Sequence, residues 1–345
     1  MNKPLVSIII PIYNAECNLE ECIASVLALK EDCWELILVN DGSKDSSADI
    51  CRRYLQQDSR VIYIEQKNSG VSVARNKGIE AASGEWLTFL DADDMLSPDA
   101  FSVLKMVKQN DEMIVLQNTK NHRAYIYSDS CKRISGVELQ KSILNLCQFK
   151  LEHPEVTAID DFNRWSSCSR FYKNSLVRKF GVRYPKGVKL GEDLIFCLRF
   201  AEKIQTVLTN NSVVYYYRDN DLSVTQKFHT DRIENTIRMI EKVEQCIKKD
   251  ELRKYMNAFS IDRVTKCCLD YYTDDRSGLS DKQAAEKLKV LCQIPAISKA
   301  ISECGYFHLA LGKKNQFFDG CTLWFLKRKW YMGLIVILKV LRKYR

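Results

Sequence analysis

The chain has 345 residues, 46% hydrophobic and 28% charged, which excludes a disordered polymer and a small stapled scaffold and predicts a sizeable core in one large domain with an appendage or in two domains. Its 14 cysteines are scattered from Cys17 to Cys321 without a C-x-x-C pair, and His122, His153, His229 and His308 show no H-E-x-x-H spacing. The sequence therefore predicts reduced thiols of a cytosolic protein, with neither a zinc hydrolase nor structural zinc. The formal net charge of +8 is concentrated in residues 321–345, where Lys327, Arg328, Lys329, Lys339, Arg342, Lys343 and Arg345 meet no acidic residue; subtracting these seven leaves +1 for residues 1–320. A near-neutral globular part argues against nucleic acid as a partner, and the positive charge belongs to the tail.

In chain order, Leu5 to Ile10 is a β-branched strand run. The apolar stretch to Pro11 is too short for a secretory h-region and runs into a polar Tyr13-Asn14 turn, so no signal peptide is expected. Asn18 to Leu29 has helical spacing, Leu36 to Val39 is a second strand ending at Asn40-Asp41-Gly42-Ser43, and a helix follows from Ser46. Val61 to Ile64, Gly70 to Ala82 and Trp86 to Leu90 read as strand, helix and strand, the last closing at Asp91-Ala92-Asp93-Asp94. This alternation predicts an α/β domain with a mainly parallel, Rossmann-like sheet flanked by helices, whose ligands sit beyond the carboxyl ends of the strands.

From Met113 to Arg183 the pattern weakens, leaving a helix near Val137 to Gln148 and a Trp165-Ser166-Ser167-Cys168 stretch. Glu192 to Lys203 reads as a helix and Val213 to Tyr217 as an apolar run, here taken as an edge strand. Residues 231–291 are helix-rich, with Ile233, Ile237, Ile240 and Val243 at helical spacing.

Glycine-rich fingerprints of dinucleotide binding, the phosphate loop and the G-x-S-x-G elbow are all missing. What remains is carboxylates at strand ends. Asp-x-Asp after an apolar strand suits a hard divalent cation that completes its shell with substrate phosphates. Taken alone, the same residues also suit an acidic turn capping the helix that Pro98 suggests.

Five ordered blocks carry a resemblance: Val6-Ser7-Ile8-Ile9-Ile10-Pro11-Ile12-Tyr13-Asn14, Val39-Asn40-Asp41-Gly42-Ser43, Ala74-Arg75-Asn76-Lys77-Gly78, residues 84–94 from Gly84-Glu85-Trp86 to Asp91-Ala92-Asp93-Asp94, and Gly191-Glu192-Asp193. Together they resemble family 2 glycosyltransferases of the GT-A fold, over roughly residues 3–225. The resemblance implies that Asp41 reads a uracil ring with Pro11 and Tyr13 lining the pocket, that Asp91 contacts the ribose or a metal-bound water, and that Asp93 ligates Mn²⁺ or Mg²⁺ with Asp94 in support. It implies Asp193 as general base, with Glu192 beside it. Arg75 steadies the diphosphate, fixes the acidic turn or forms an internal ion pair. Tyr215-Tyr216-Tyr217-Arg218 followed by Ser223 resembles a further block, from which Arg218 would reach the leaving diphosphate. Trp165 either stacks on a sugar or belongs to the core.

The domains expected are a catalytic domain at 1–225, a helical module at 226–320 and a basic tail at 321–345. The apolar part of the tail, Trp330 to Leu338, is only about half the roughly 20 residues needed to span a bilayer. On a helical wheel Arg328, Lys339, Arg342 and Lys343 gather opposite Trp330, Gly333, Leu334, Ile337 and Leu341, the pattern of an interfacial helix on anionic lipid. The resemblance thus implies an inverting, metal-dependent transfer from a UDP-sugar to a glycan or lipid-linked acceptor, in cell-surface polysaccharide synthesis at the cytoplasmic face of the membrane. A GDP- or dTDP-sugar enzyme, or a non-catalytic sugar-nucleotide or glycan-binding scaffold, is the alternative.

Overall fold

The computed structural model describes residues 4–120, 125–145, 152–154, 156, 159, 164–218, 230–305 and 313–342. Ser223, His122, His229, His308, Lys343 and Arg345, named above, lie outside the described residues. The chain divides into two compact units. The first comprises residues 1–139, 156–187 and 192–220; the second comprises 140–155, 188–191 and 221–345.

The first unit is built on a nine-stranded sheet: β1 (Val6–Ile12), β2 (Trp34–Asn40), β3 (Val61–Glu65), β4 (Trp86–Phe89), β5 (Met95–Leu96), β6 (Met113–Thr119), β7 (Cys131–Ile134), β8 (Arg170–Lys173) and β9 (Val207–Tyr216). Their order is β3-β2-β1-β4-β8-β6-β9-β5, with β7 also on β9. The parallel character belongs to β3-β2-β1-β4 and to β6-β9, whereas β8, β5 and β7 all pair antiparallel. Every residue of β1 and β2 is buried, which is why these strands read as continuous apolar runs. Between the successive strands β1 to β4 run α1 (Leu19–Leu27), α2 (Ser47–Gln57) and α3 (Val71–Ala81); α4 (Gly136–Leu144), whose last five residues belong to the second unit, α5 (Asn174–Lys179) and α6 (Glu192–Ala201) follow.

Two expectations are corrected. β9 is no edge strand: it lies between β6 and β5, and the Tyr215 side chain is buried in the sheet. No α-helix follows Pro98; a short 3₁₀ turn, Ser102–Met106, stands there.

At the end of the sheet remote from the strand-end carboxylates, the buried Glu35 accepts hydrogen bonds from the Ser7 hydroxyl and from the amides of Ser83 and Gly84. A Cβ on Gly84 would stand 2.7 Å from the Ser7 nitrogen and 2.9 Å from the Val6 carbonyl carbon. Backbone cannot yield as a side-chain tip can. Gly84→Ala should therefore cost about 1–3 kcal/mol of stability, read as a lower urea midpoint, and an unchanged midpoint would contradict this close approach.

The second unit is helical: α7 (Arg232–Glu244), α8 (Arg253–Cys267) running into a π turn at Cys268–Tyr272, α9 (Asp281–Cys292), α10 (Pro295–Glu303), α11 (Lys313–Lys327) and α12 (Tyr331–Arg342). Ser280 and Gln283 form a capping box that starts α9, and Pro295 opens α10 at the helix position where its missing amide costs nothing. No described helix is long and apolar enough to cross a membrane.

The helical wheel drawn for the tail is corrected here. Leu334, Ile335 and Leu338 are buried, α12 packing on α9 and α11, and Lys339 is ion-paired with Asp281 at 2.5 Å. The exposed apolar stripe of α12 is instead Met332, Val336 and Val340. The described cysteines are free thiols, most of them buried.

Candidate active site

Each parallel strand delivers a polar residue as it leaves the sheet. Pro11 is buried within β1 and Tyr13 follows it, 49% exposed. The turn after β1 is stitched to the turn after β2: the Asn14 amide donates to Ser43 Oγ, the Ala15 amide to Ser47 Oγ, and the Lys44 amide to Asn14 Oδ1. These bonds hold the two strand ends together as one platform.

Asp41 emerges from β2 and is buried. Its Oδ1 accepts from Gln66 Nε2 and the Ser69 amide, and its Oδ2 from the Gly70 amide, each at 2.8 Å. Gly42 beside it has φ +73°, and a Cβ there would come within 2.8 Å of the Asn68 nitrogen. Only glycine lets the segment 66–70 lie this close. A carboxylate has about four acceptor sites, so with three donors in place Asp41 keeps the capacity for one more.

The acidic turn after β4 is held from β9. The buried Asp94 accepts from the Tyr215 hydroxyl and from the Arg218 amide, the latter at 2.9 Å, while the Tyr215 oxygen also accepts from the Asp91 amide at 3.2 Å. Burial pushes the Asp94 carboxyl up to about 8, with Asp91 and then Asp93 adding to the shift. The Arg218 side chain spans the turn, with Nε on the Asp93 carbonyl at 3.0 Å and Nη2 paired with Glu21 of α1.

Arg75, on α3 and 3% exposed, joins this turn to the other candidate centre. Its Nη2 donates to Asp91 Oδ1 at 2.8 Å and its Nη1 to Asp193 Oδ1 at 2.7 Å, with Glu192 Oε1 at 3.4 Å from the same nitrogen. The guanidinium lies 5.2 Å from the Tyr184 ring centre, and Tyr184 stacks on Phe196 of α6 at 4.2 Å. One guanidinium therefore touches three of the predicted carboxylates, and the internal ion pair is the geometry observed for Arg75.

Asp193 sits in the first turn of α6, yet its partners come from elsewhere: Arg75 on one oxygen and the Ser167 amide, at 3.5 Å, on the other. Burial pushes its carboxyl above the ordinary range, Arg75 pulls it down, and Asp91 pushes it up again. Glu192 is raised to about 8, by burial first and by Asp193 second, against Arg75.

Tyr13, Asp41, Asp91, Asp93, Asp94, Arg75, Glu192, Asp193 and Arg218 all lie within the first unit, at the carboxyl ends of its strands or on the helices beside them. Sequence reading missed four supports: Glu21, the Ser167 amide, Tyr184 and the Tyr215 hydroxyl. Glu21 looks like an ordinary acidic residue of a first helical turn, and a backbone amide leaves no mark in a sequence. Only Tyr215 carried a signal, its place in the Tyr215-Tyr216-Tyr217-Arg218 block.

Among the described residues no group of three or more His, Cys, Asp or Glu side chains is placed to hold a cation unaided. A hard divalent cation bound by one or two carboxylates together with phosphate oxygens and water makes no such demand. The crowded carboxylates after β4 fit that donor set.

This architecture, a sheet parallel over β3-β2-β1-β4 with acidic turns after β2 and β4, is that of the GT-A fold. Residues 7–130 match the profile of Glycosyl transferase family 2, so the chain carries a domain of that family over this segment. It is 28% identical over 318 residues to the putative glycosyltransferase EpsH of Bacillus subtilis, covering 88% of each chain. It is also 28% identical over 218 residues to the poly(ribitol-phosphate) beta-glucosyltransferase of Bacillus spizizenii, covering 61% of this chain and 32% of the other. Among solved structures, S. aureus TarS residues 1–349 in complex with UDP-GlcNAc shares the fold, with a TM-score of 0.67 and 15% identity, over 99% of this chain and 92% of that one.

Proposed function

We propose that the chain transfers a sugar from a UDP-sugar to a glycan or lipid-linked oligosaccharide with inversion at the anomeric carbon, in the synthesis of a cell-surface polysaccharide. The observation that carries this reading is Arg75, which bonds the carboxylate of the acidic turn through one nitrogen and Asp193 through another. Inverting transfer calls for two acidic centres of different duty, one for the departing diphosphate and one for the acceptor's proton. The fixed guanidinium keeps them close but distinct. The poly(ribitol-phosphate) beta-glucosyltransferase named above supports a polymeric acceptor, and the TarS complex supports a uridine diphosphate donor.

In this reading Tyr13 and Pro11 form one wall for the base, and Asp41, with one acceptor site left, takes an N–H of uracil. Asp93, with Asp91, would hold Mn²⁺ or Mg²⁺, which supplies charge neutralisation at the diphosphate. Arg218 is fixed by Glu21 at the rim of the same turn, from where it faces the leaving group. Asp193, kept from being a weak base by its burial, takes the proton of the attacking hydroxyl as the new C–O bond forms. Glu192 remains beside it as the third carboxylate on Arg75.

The second unit is assigned to the inner face of the cell membrane through its basic C-terminal region, which lies on an otherwise near-neutral chain. The donor assignment is tested by thermal shift with UDP, GDP and dTDP in the presence of Mn²⁺. Protection by UDP above the other two is expected, and equal or greater protection by GDP or dTDP would replace the donor.

A further inference from the structure

In the second unit a cavity of about 930 Å³ opens between α9, α10 and the turn joining α11 to α12. Three lysines line it: Lys282 and Lys289 from α9 and Lys329 from the turn, against a single acidic lining residue, Glu286. Tyr331, Met332 and Gly333, the first turn of α12, close one side. Amides of a first turn have no acceptor within their own helix and carry the positive end of its dipole, so they add to the lysines in favouring an anion.

Lys329 stands in a position that glycine normally takes. The Trp330 amide donates to the Phe325 carbonyl and the Lys329 amide to Leu326, the bond pair of a Schellman ending, with Lys329 at φ +57°. An L side chain is strained in that conformation. Lys329 thus sets its side chain at the cavity lining in a position where glycine would be easier.

The rim supplies a second kind of chemistry. Trp330 is 59% exposed and Trp324 37%, their rings 5.8 Å apart, with the Arg328 guanidinium 3.9 Å over Trp324. Met332, Val336 and Val340 continue the exposed apolar surface along one stripe of α12. Indoles, with an apolar body and a polar N–H, favour the boundary between headgroups and acyl chains. A free phosphate would satisfy the lysines and leave the stripe in water, whereas a lipid satisfies both.

We infer that this cavity binds the phosphate headgroup of an anionic lipid while Trp324, Trp330 and the α12 stripe enter the interface around it. The inference deepens the membrane placement proposed above and is independent of the sugar chemistry. It replaces diffuse attraction by the tail with a built site, and it uses the stripe opposite to the buried leucines.

The test is sedimentation of the full chain with phosphatidylcholine vesicles, with and without phosphatidylglycerol. Wild type should be retained only by the anionic vesicles. A lysine near an anionic surface contributes about fivefold to partitioning, so Lys282→Gln/Lys289→Gln/Lys329→Gln should lose roughly a hundredfold. Lys242→Gln/Lys248→Gln/Lys249→Gln, which removes the same charge elsewhere in the unit, should be retained like wild type. Lys329→Gly separates binding from folding: it should melt at or above the wild-type temperature and yet bind more weakly. Equal losses in the two triple variants, or wild-type retention of Lys329→Gly, would overturn the site and leave membrane placement standing. Release of wild type by millimolar inorganic phosphate at constant ionic strength would make the ligand a free phosphate and overturn the lipid. Failure of wild type to bind anionic vesicles would remove both, while UDP protection, measured on the same preparation, would still stand or fall by itself.

Discussion

Asp193→Asn is expected to keep the fold and the affinity for UDP while acceptor-dependent turnover falls by about 10²- to 10⁴-fold. The amide is nearly isosteric, and its oxygen can still accept from Arg75, which retains Asp91 and Glu192 as partners. What the amide cannot do is take a proton at neutral pH. A purely structural role for a first-turn acidic residue predicts the opposite: a stability loss of up to about 1 kcal/mol and near-normal transfer. The geometry speaks against a helix-dipole role alone, because both oxygens of Asp193 are engaged by Arg75 and Ser167 and both of those partners lie outside α6. Melting temperature, UDP affinity by calorimetry and turnover on one preparation separate the two, and wild-type turnover in the variant would exclude the base assignment.

The second large effect is expected from Asp93→Ala, which should abolish the Mn²⁺-dependent part of UDP binding. Phosphate and carboxylate repel each other, and a divalent ion shared between them is what turns an acidic turn into a diphosphate site. The turn itself should survive the change, since Asp94 is held by Tyr215 and Arg218, and Arg218 Nε donates to the Asp93 carbonyl oxygen, which alanine keeps. A loss of UDP affinity with unchanged melting temperature is therefore the predicted signature. Equal UDP affinity of wild type and variant with Mn²⁺ present would remove Asp93 from the metal site.

How much of this was legible depended on where each residue's partners come from. β1, β2 and β4 could be read because a strand buried on both faces needs an uninterrupted apolar run, and the turns that end them carry Asp41 and Asp91 in full view. β6 and β8 were hidden for the converse reason. β6 turns polar after Leu116, where its register with β9 also shifts, and β8 opens with Arg170, a cation that is fully buried and so resembles a surface residue. The carboxylates at strand ends were found as types in a pattern, but their joining through Arg75 was not, because α3 and α6 lie more than a hundred residues apart in the chain. The tail misled the wheel for a similar reason. A helix apolar on nearly every side leaves the choice of buried stripe to its neighbours, and α9, through Asp281, turned Lys339 inward and left Met332, Val336 and Val340 outside.

The central claim is transfer from a nucleotide sugar, and it is tested most directly by incubating the protein with a panel of UDP-, GDP- and dTDP-sugars, with Mn²⁺ or Mg²⁺ and with EDTA, and scoring nucleoside diphosphate release. The account predicts release from a UDP-sugar with the divalent ion, suppressed by EDTA. Sugar-nucleotide binding without release from any donor would contradict it and leave a binding scaffold in its place.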